Sequence, residues 1–212
     1  KEGIHDALFP MMYFQGNNFY PFALDWKEND GKRWIIPGLG IYFLSPREQD
    51  WPLDEIVRQI HFTRQIKLNG QAYFRNRFLL DNTKGVLDEL EENFYTYPAL
   101  IPPMTWSDSI PPSVPSHPSV QQIANGKLRM SWQASADNSN QSVVYHLYGS
   151  DTYPVDIKQP QNLIATHLIA NEYEYTAKLP WLQKRYFAVT AADRFGNESA
   201  PLTLNTVSDM DI

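Results

Sequence analysis

The sequence predicts an α/β segment with parallel strands, followed by an all-β antiparallel sandwich. Three observations carry this. Apolar runs alternate with helical patterns over the first hundred or so residues, the order expected of βαβ units and a parallel sheet. A proline-rich stretch then interrupts the chain from Pro98 to Pro118. After it come short alternating runs separated by turn residues, the pattern of a sandwich. The expected division is residues 1–108 for the β/α units, 109–118 for a semi-stiff linker and 119–212 for the sandwich.

The first unit begins with an apolar run from Ala7 to Phe14, read as a strand. Phe19, Phe22, Ala23 and Trp26 follow at helical spacing, with Pro21 in the first turn, where its missing N–H costs nothing. The second unit is a strand from Ile35 to Leu44 and a helix from Pro52. Leu53, Ile56, Val57 and Ile60 form its apolar stripe, and Asp54 and Glu55 suit the positive end of the helix dipole. The third is a strand from Ala72 to Phe74, then a helix whose buried face is Val86, Leu87, Leu90 and Phe94. Asn82 or Thr83 can cap its first turn. Strands hidden on both faces read as nearly continuous apolar runs, as these do.

Seven prolines and four serines between Pro98 and Pro118 mark the linker, because proline locks φ and cannot donate to a ladder. Beyond it the expected strands are Lys127–Gln133, Val143–Tyr148, Asn162–Ile169, Glu172–Leu179, Arg185–Ala192 and Pro201–Thr206. Turns fall at Asn125-Gly126, Ala136–Gln141 and Phe195-Gly196-Asn197. Trp132, in the first of these strands, is a natural core residue.

Composition excludes several function classes. The formal net charge is -6 with no basic stripe, which argues against a nucleic-acid partner. No apolar run approaches the length of a membrane span. The absence of cysteine excludes disulfides, thiol catalysis and cysteine zinc sites. His5, His61, His117, His146 and His167 are scattered, without zinc spacing, so neither a metal nor a cofactor is expected. Gly38 and Gly40 make a lone G-x-G inside a strand; a dinucleotide fingerprint needs a third glycine opening a helix, so close packing is the better reading. The chain opens at Lys1 directly before a buried-type strand, which suggests a fragment.

Leu128-Arg-Met-Ser-Trp132, Tyr145-His-Leu-Tyr148 and the run from Arg185 to Ser199 resemble a fibronectin type III domain. The first part resembles the C-terminal end of a glycosyl-hydrolase-like family 10 barrel. That likeness rests on the run from Asp6 to Tyr20, on Asp25-Trp26, on Gly38-Leu-Gly-Ile-Tyr42 and on Gly70-Gln-Ala-Tyr-Phe-Arg75. It implies a partial TIM-barrel-like segment, since three β/α units occupy far less than the roughly 250 residues of a closed barrel. It also implies a bacterial glycoside hydrolase of the cell exterior, periplasm or envelope, with poly- or oligosaccharide as partner. Open edges of such a slice invite self-association.

A glycosidase needs two carboxylates at a defined separation. None of Asp6, Asp25, Glu28, Asp30, Glu48, Asp50 or Asp81 makes a convincing pair, so the catalytic residues are unknown and are expected upstream. The strand ends offer binding groups instead: Tyr13 and Gln15 after the first, Tyr42 after the second, Arg75 and Asn76 after the third, and Trp26 after a loop return. Planar polar groups pair with sugar hydroxyls, and aromatic rings cover apolar sugar faces. The plainer alternative makes Tyr13 and Tyr42 core-rim residues and Trp26 a helix-to-sheet anchor. At the level of the whole chain, the alternative is a non-catalytic carbohydrate- or protein-binding spacer.

Overall fold

The computed structural model describes residues 3–124, 126–139, 141–177 and 184–204. They belong to two compact units, Lys1–Thr96 and Tyr97–Ile212. The boundary therefore lies twelve residues before the expected one, and the expected linker is not a free tether. Its peptide groups are engaged by the second unit. The Met104 amide donates to the Phe195 carbonyl at 2.7 Å, Asn197 Nδ2 donates to the Asp108 carbonyl at 3.0 Å, and the Ser113 amide donates to Ala136 O at 2.8 Å. Proline removes donors but leaves every carbonyl able to accept, so a proline-rich stretch can lie along a folded surface.

The first unit lays three chain runs side by side in the same direction. β1 (Ala7–Leu8) pairs parallel with β2 (Trp34–Ile35), and β3 (Gly38–Leu39) pairs parallel with β4 (Ala72–Tyr73). The ladder between the first two runs continues past these short strands: Gly38 N donates to Pro10 O at 2.8 Å and Met12 N to Gly38 O at 3.0 Å. On the other side, Ala72 N donates to Pro37 O and Phe74 N to Leu39 O, both at 2.9 Å. Pro10 and Pro37 have no N–H to give, which is why the ladder is broken into such short pieces.

Helices connect the runs. α1 (Tyr20–Glu28) carries Pro21 in its first turn, as expected. α2 (Leu53–Gln65) starts after Pro52 with Asp54 and Glu55 in its first turn. Ile56 and Ile60 are buried against Phe19, Ala23, Leu39, Ile41 and Leu44, and Leu53 packs at the edge of this core. Burying each such aliphatic side chain is worth about 1.5–3 kcal/mol. α3 (Arg77–Leu80) is short and has no counterpart in the sequence reading. α4 (Val86–Glu89) runs on into a π turn, Leu90–Phe94, with Val86 and Leu90 buried. Asn82 Oδ1 accepts the Leu87 amide at 2.8 Å, so the expected cap acts from outside the helix.

Two strand expectations need correction. The first run leaves the ladder after Met12, so Tyr13 and Phe14 lie beyond it. The second run ends at Leu39, and Ile41–Leu44 coil into a 3-10 turn closed by Phe43 N to Gly40 O at 3.1 Å. Apolar content could not separate these cases, because a buried tight turn is as hydrophobic as a buried strand.

The second unit has seven strands among its described residues: β5 (Ser116–Ala124), β6 (Lys127–Gln133), β7 (Val144–Ser150), β8 (Leu163–Leu168), β9 (Glu172–Thr176), β10 (Tyr186–Ala192) and β11 (Leu202–Leu204). They form two antiparallel sheets, β5-β6-β9 and β11-β10-β7-β8. This is a fibronectin type III-like sandwich. β5 begins inside the expected linker. The expected extension of the β9 run past residue 177, and that of the last run past residue 204, lie outside the described residues, as does Asn125. Along β6, Leu128, Met130 and Trp132 point inward and meet Tyr145, Leu147, Phe187, Val189 and Leu204. The Phe195-Gly196-Asn197 turn is organised by Asp193, whose carboxylate accepts from the Phe195 and Asn197 amides and from Asn197 Nδ2. Gly196 sits at φ +79, and a Cβ there would lie 3.3 Å from Ile101 O and Pro103 Cα, so glycine is needed twice over.

The outer face of β7 and β10 is also covered. Tyr148 and Ala188 pack with Val155, and Glu198 Oε1 accepts from Tyr148 Oη at 2.6 Å and Thr190 Oγ1 at 2.5 Å. His146 is buried beside them, and its Nδ1 accepts the His167 amide at 3.3 Å. Burial holds the His146 imidazole below its ordinary 6.5; Glu198 opposes this and the neighbouring His167 adds to it. The folded state therefore binds the proton less readily than the unfolded chain. The contribution to stability is present above the ordinary value and is lost as pH falls through it toward the folded value. Thermal melts of the chain from pH 7.5 down to 5 should show falling stability, and His146→Gln should flatten that slope.

Candidate functional site

At the ends of the first two parallel runs, one cleft of about 700 Å³ is lined by Met11, Tyr13, Phe14, Gln15, Asn18, Tyr42, Phe43, Gln49 and Trp51. Tyr13, Gln15 and Tyr42, all expected site residues, meet here. The Tyr13 ring stacks on Phe74 at 5.3 Å between centroids and meets the Tyr42 ring edge-on at 5.8 Å. Tyr42 packs on Phe43 at 4.0 Å, and Phe43 on Trp51 at 4.7 Å. The 3-10 turn that displaced Tyr42 from the strand is what turns its ring toward Tyr13.

Gly38 and Gly40 make this possible. A Cβ on Gly38 would lie 3.0 Å from Tyr13 Cε1, and one on Gly40 would lie 3.1 Å from Phe43 Cδ2 and 3.2 Å from Tyr13 Cβ. The G-x-G pair is thus the flat bed on which Tyr13 and Phe43 lie. Burial raises the Tyr13 phenol above its ordinary value. Burial also raises Tyr42, aided by Glu48 and Tyr13 and opposed by the Arg75 guanidinium. Both phenols remain neutral at physiological pH and can donate or accept.

Amides complete the rim. Gln15 and Asn18 are exposed around a 3-10 turn, Gly16–Asn18, whose Asn18 amide donates to Gln15 O at 3.1 Å. Gln49 Oε1 accepts from Trp51 Nε1 at 2.9 Å, a bond that does not use its NH2 donors. Asn18, Gln49 and Trp51 were missed by the sequence reading. The only signal was Trp51 preceding Pro52 at the helix start.

The remaining expected residues are placed differently. Trp26 packs against the core and lines an adjoining cleft of about 490 Å³ with Pro10, Met11, Met12, Phe14, Asn18 and Phe22. It therefore meets both readings, anchor and lining residue. Arg75 is exposed, its guanidinium 5.3 Å from the Phe78 ring, close enough to act on Tyr42 but not lining either cleft. Asn76 opens α3, its carbonyl accepting the Leu79 and Leu80 amides, and it too lines neither cleft. The chain turns into α3 as soon as the third run ends, which carries Asn76 away.

Among the described residues, no carboxylate lines the cleft of Tyr13 and Tyr42. Asp50 pairs with Lys84 at 2.6 Å, Asp30 with Lys27 at 2.8 Å and Asp81 with Arg77 at 3.3 Å. Glu55, read as a helix-start residue, is in fact buried, held by Arg58 at 2.6 Å and Gln59 at 2.9 Å. Gln59 Nε2 also donates to the Phe14 carbonyl at 2.9 Å, tying the cleft's first wall to α2. Among the described residues the lining presents aromatic faces and carboxamides and no acid-base pair of its own.

No family model matches the chain. It is 29% identical over 210 residues to the Glycosyl hydrolase YngK of Bacillus subtilis (strain 168), a match covering 94% of this chain and 40% of that protein. The chain thus spans about two fifths of the length of that relative. Among solved structures it is similar to a bacterial orthologue of human α-L-iduronidase, at 17% identity and a TM-score of 0.34, over 46% of this chain and 16% of that one. It is also similar to a fibronectin type III domain of human fibronectin type III domain containing protein 3, at 20% identity and a TM-score of 0.33, over 47% of this chain and 92% of that one. The chain is similar to a glycosyl hydrolase along most of its length, and its second unit is a fibronectin type III-like sandwich of two antiparallel sheets.

Proposed function

We propose that this chain is part of a bacterial glycoside hydrolase acting on poly- or oligosaccharides. The observation that carries the reading is the cleft in which Tyr13, Tyr42, Phe43 and Trp51 face Gln15, Asn18 and Gln49 at the ends of parallel runs. Aromatic faces cover the apolar faces of sugars, and carboxamides satisfy pairs of hydroxyls. The 29% identity to a glycosyl hydrolase along nearly the whole chain supports it.

On this reading the first unit is a slice of a family 10-like TIM barrel, and the parallel order of its three runs supports that ancestry. The slice contributes substrate contacts, with Trp26 and Arg75 at the margin, while the catalytic carboxylates stand elsewhere in the longer protein. The sandwich is a non-catalytic spacer, and the protein works outside the cytoplasm or in the envelope. Exposed Phe9, Met11, Phe14 and Phe22 make self-association of the separate chain an expected property.

The test is calorimetric titration of the chain with a panel of soluble oligosaccharides, beside product analysis with the longer protein. Binding by the chain and cleavage by the longer protein are the expected results. A non-catalytic carbohydrate-binding role is the second reading, favoured by a lining without a carboxylate among the described residues. Binding without cleavage by the longer protein would select it, and binding by neither would reject both.

A further inference from the structure

We infer that Lys84 is a positioning residue for the Trp51 wall of the cleft, a role resting on the binding surface proposed above. Three observations converge on it. All three ammonium donors are spent on one short segment: the Asp50 carboxylate at 2.6 Å, the Asp50 carbonyl at 3.2 Å and the Trp51 carbonyl at 2.8 Å. Both ends of the clamp are in left-handed backbone, Lys84 at φ +54 and Asp50 at φ +55, a conformation that disfavours side chains with a Cβ. The segment held is the one that carries the cleft's buried tryptophan and, two residues before it, Gln49.

An ordinary surface ion pair would not need two strained residues to form it, and exposed pairs contribute little by themselves. What this one fixes is the 49–51 turn. Trp51 N already donates to Phe43 O at 2.8 Å and its indole to Gln49 at 2.9 Å, so locking the Trp51 carbonyl sets the ring plane against Phe43.

The experiment uses the full 212-residue chain labelled with 5-fluorotryptophan, the Trp51 resonance being assigned by its loss in Trp51→Phe. Lys84→Met keeps the aliphatic stem without the charge. Lys84→Gly removes the clamp and also the left-handed strain, so its stability should stay close to that of the parent. Both should shift or broaden the Trp51 resonance and speed amide exchange at Asp50 and Trp51 by about tenfold, the loss of roughly one charge-assisted hydrogen bond. An unchanged Trp51 signal and exchange rate in Lys84→Gly would overturn the inference. So would equal changes at all the tryptophans, which mark a general loss of stability. Should Lys84→Met fail to fold, Lys84→Gly decides alone. Saccharide binding is not needed for this readout, so failure of the functional proposal and failure of the clamp are separately visible.

Discussion

Truncating Phe187 to alanine is expected to destabilise the sandwich by about 3–5 kcal/mol, the range for removing a large aromatic side chain from a close-packed core. Phe187 is fully buried on β10 and meets the Tyr175 ring of the facing sheet at 5.1 Å between centroids. The cavity would open between the two sheets, where Met130, Leu147 and Leu204 already sit in fixed packing. At roughly 4 °C or more per kcal/mol for a domain of this size, the melting midpoint should drop by more than about 10 °C. Ile169→Ala is the matched control: Ile169 belongs to the same unit and is 83% exposed, so its loss should be worth no more than about 0.5 kcal/mol. Differential scanning calorimetry separates the outcomes. A Phe187→Ala chain that melts like the control would mean that the two sheets do not enclose the core described.

The second large effect is on binding. Tyr13→Ala should weaken saccharide affinity by at least about thirtyfold, the effect of losing a central aromatic anchor worth roughly 2 kcal/mol. Tyr13 is the residue on which the cleft is assembled, stacked on Phe74, edge-on to Tyr42 and lying over Gly38 and Gly40. Gly38→Ala tests the same point without deleting the ring. Its new methyl would meet Tyr13 Cε1 at 3.0 Å, so the ring must move or the wall must give. Overpacking of this kind costs about 1–3 kcal/mol, and the binding loss should follow that of Tyr13→Ala. The check is calorimetric titration with whichever oligosaccharide of the panel binds the parent chain. Undiminished affinity in Tyr13→Ala would move the binding surface away from this cleft.

Much of the fold was legible because burial repeats with the local geometry of the chain. The expected strand at Lys127–Gln133 is β6, and its alternation places Leu128, Met130 and Trp132 on one face. The stripe through Ile56 and Ile60 set the buried side of α2. Pro21 and Pro52 marked the helix starts because of what proline lacks. The same reasoning failed where one composition serves two structures. The run after Gly40 is as apolar as a strand, but Ile41–Leu44 coil. The prolines before Pro118 signal an extended chain, but not whether that chain lies in solvent or against Gly196 and Asn197.

The candidate site divides the same way. Tyr13, Gln15 and Tyr42 could be named from their places at the ends of apolar runs, since parallel strands present their ends together. Asn18, Gln49, Trp51 and Lys84 could not, because their roles depend on which distant segments meet: Asn18 shares one lining with Gln49 and Trp51, and Lys84 reaches back 34 residues to Asp50. By itself the sequence determined that β/α units precede an antiparallel sandwich and which face of β6 turns inward, since these follow from spacing over a few residues. Only the tertiary structure decided which side chains share a cleft, that Glu55 is buried and that Asn76 turns away. Those outcomes depend on register and close approach between distant segments, where an added methyl group on Gly38 would be enough to change the answer.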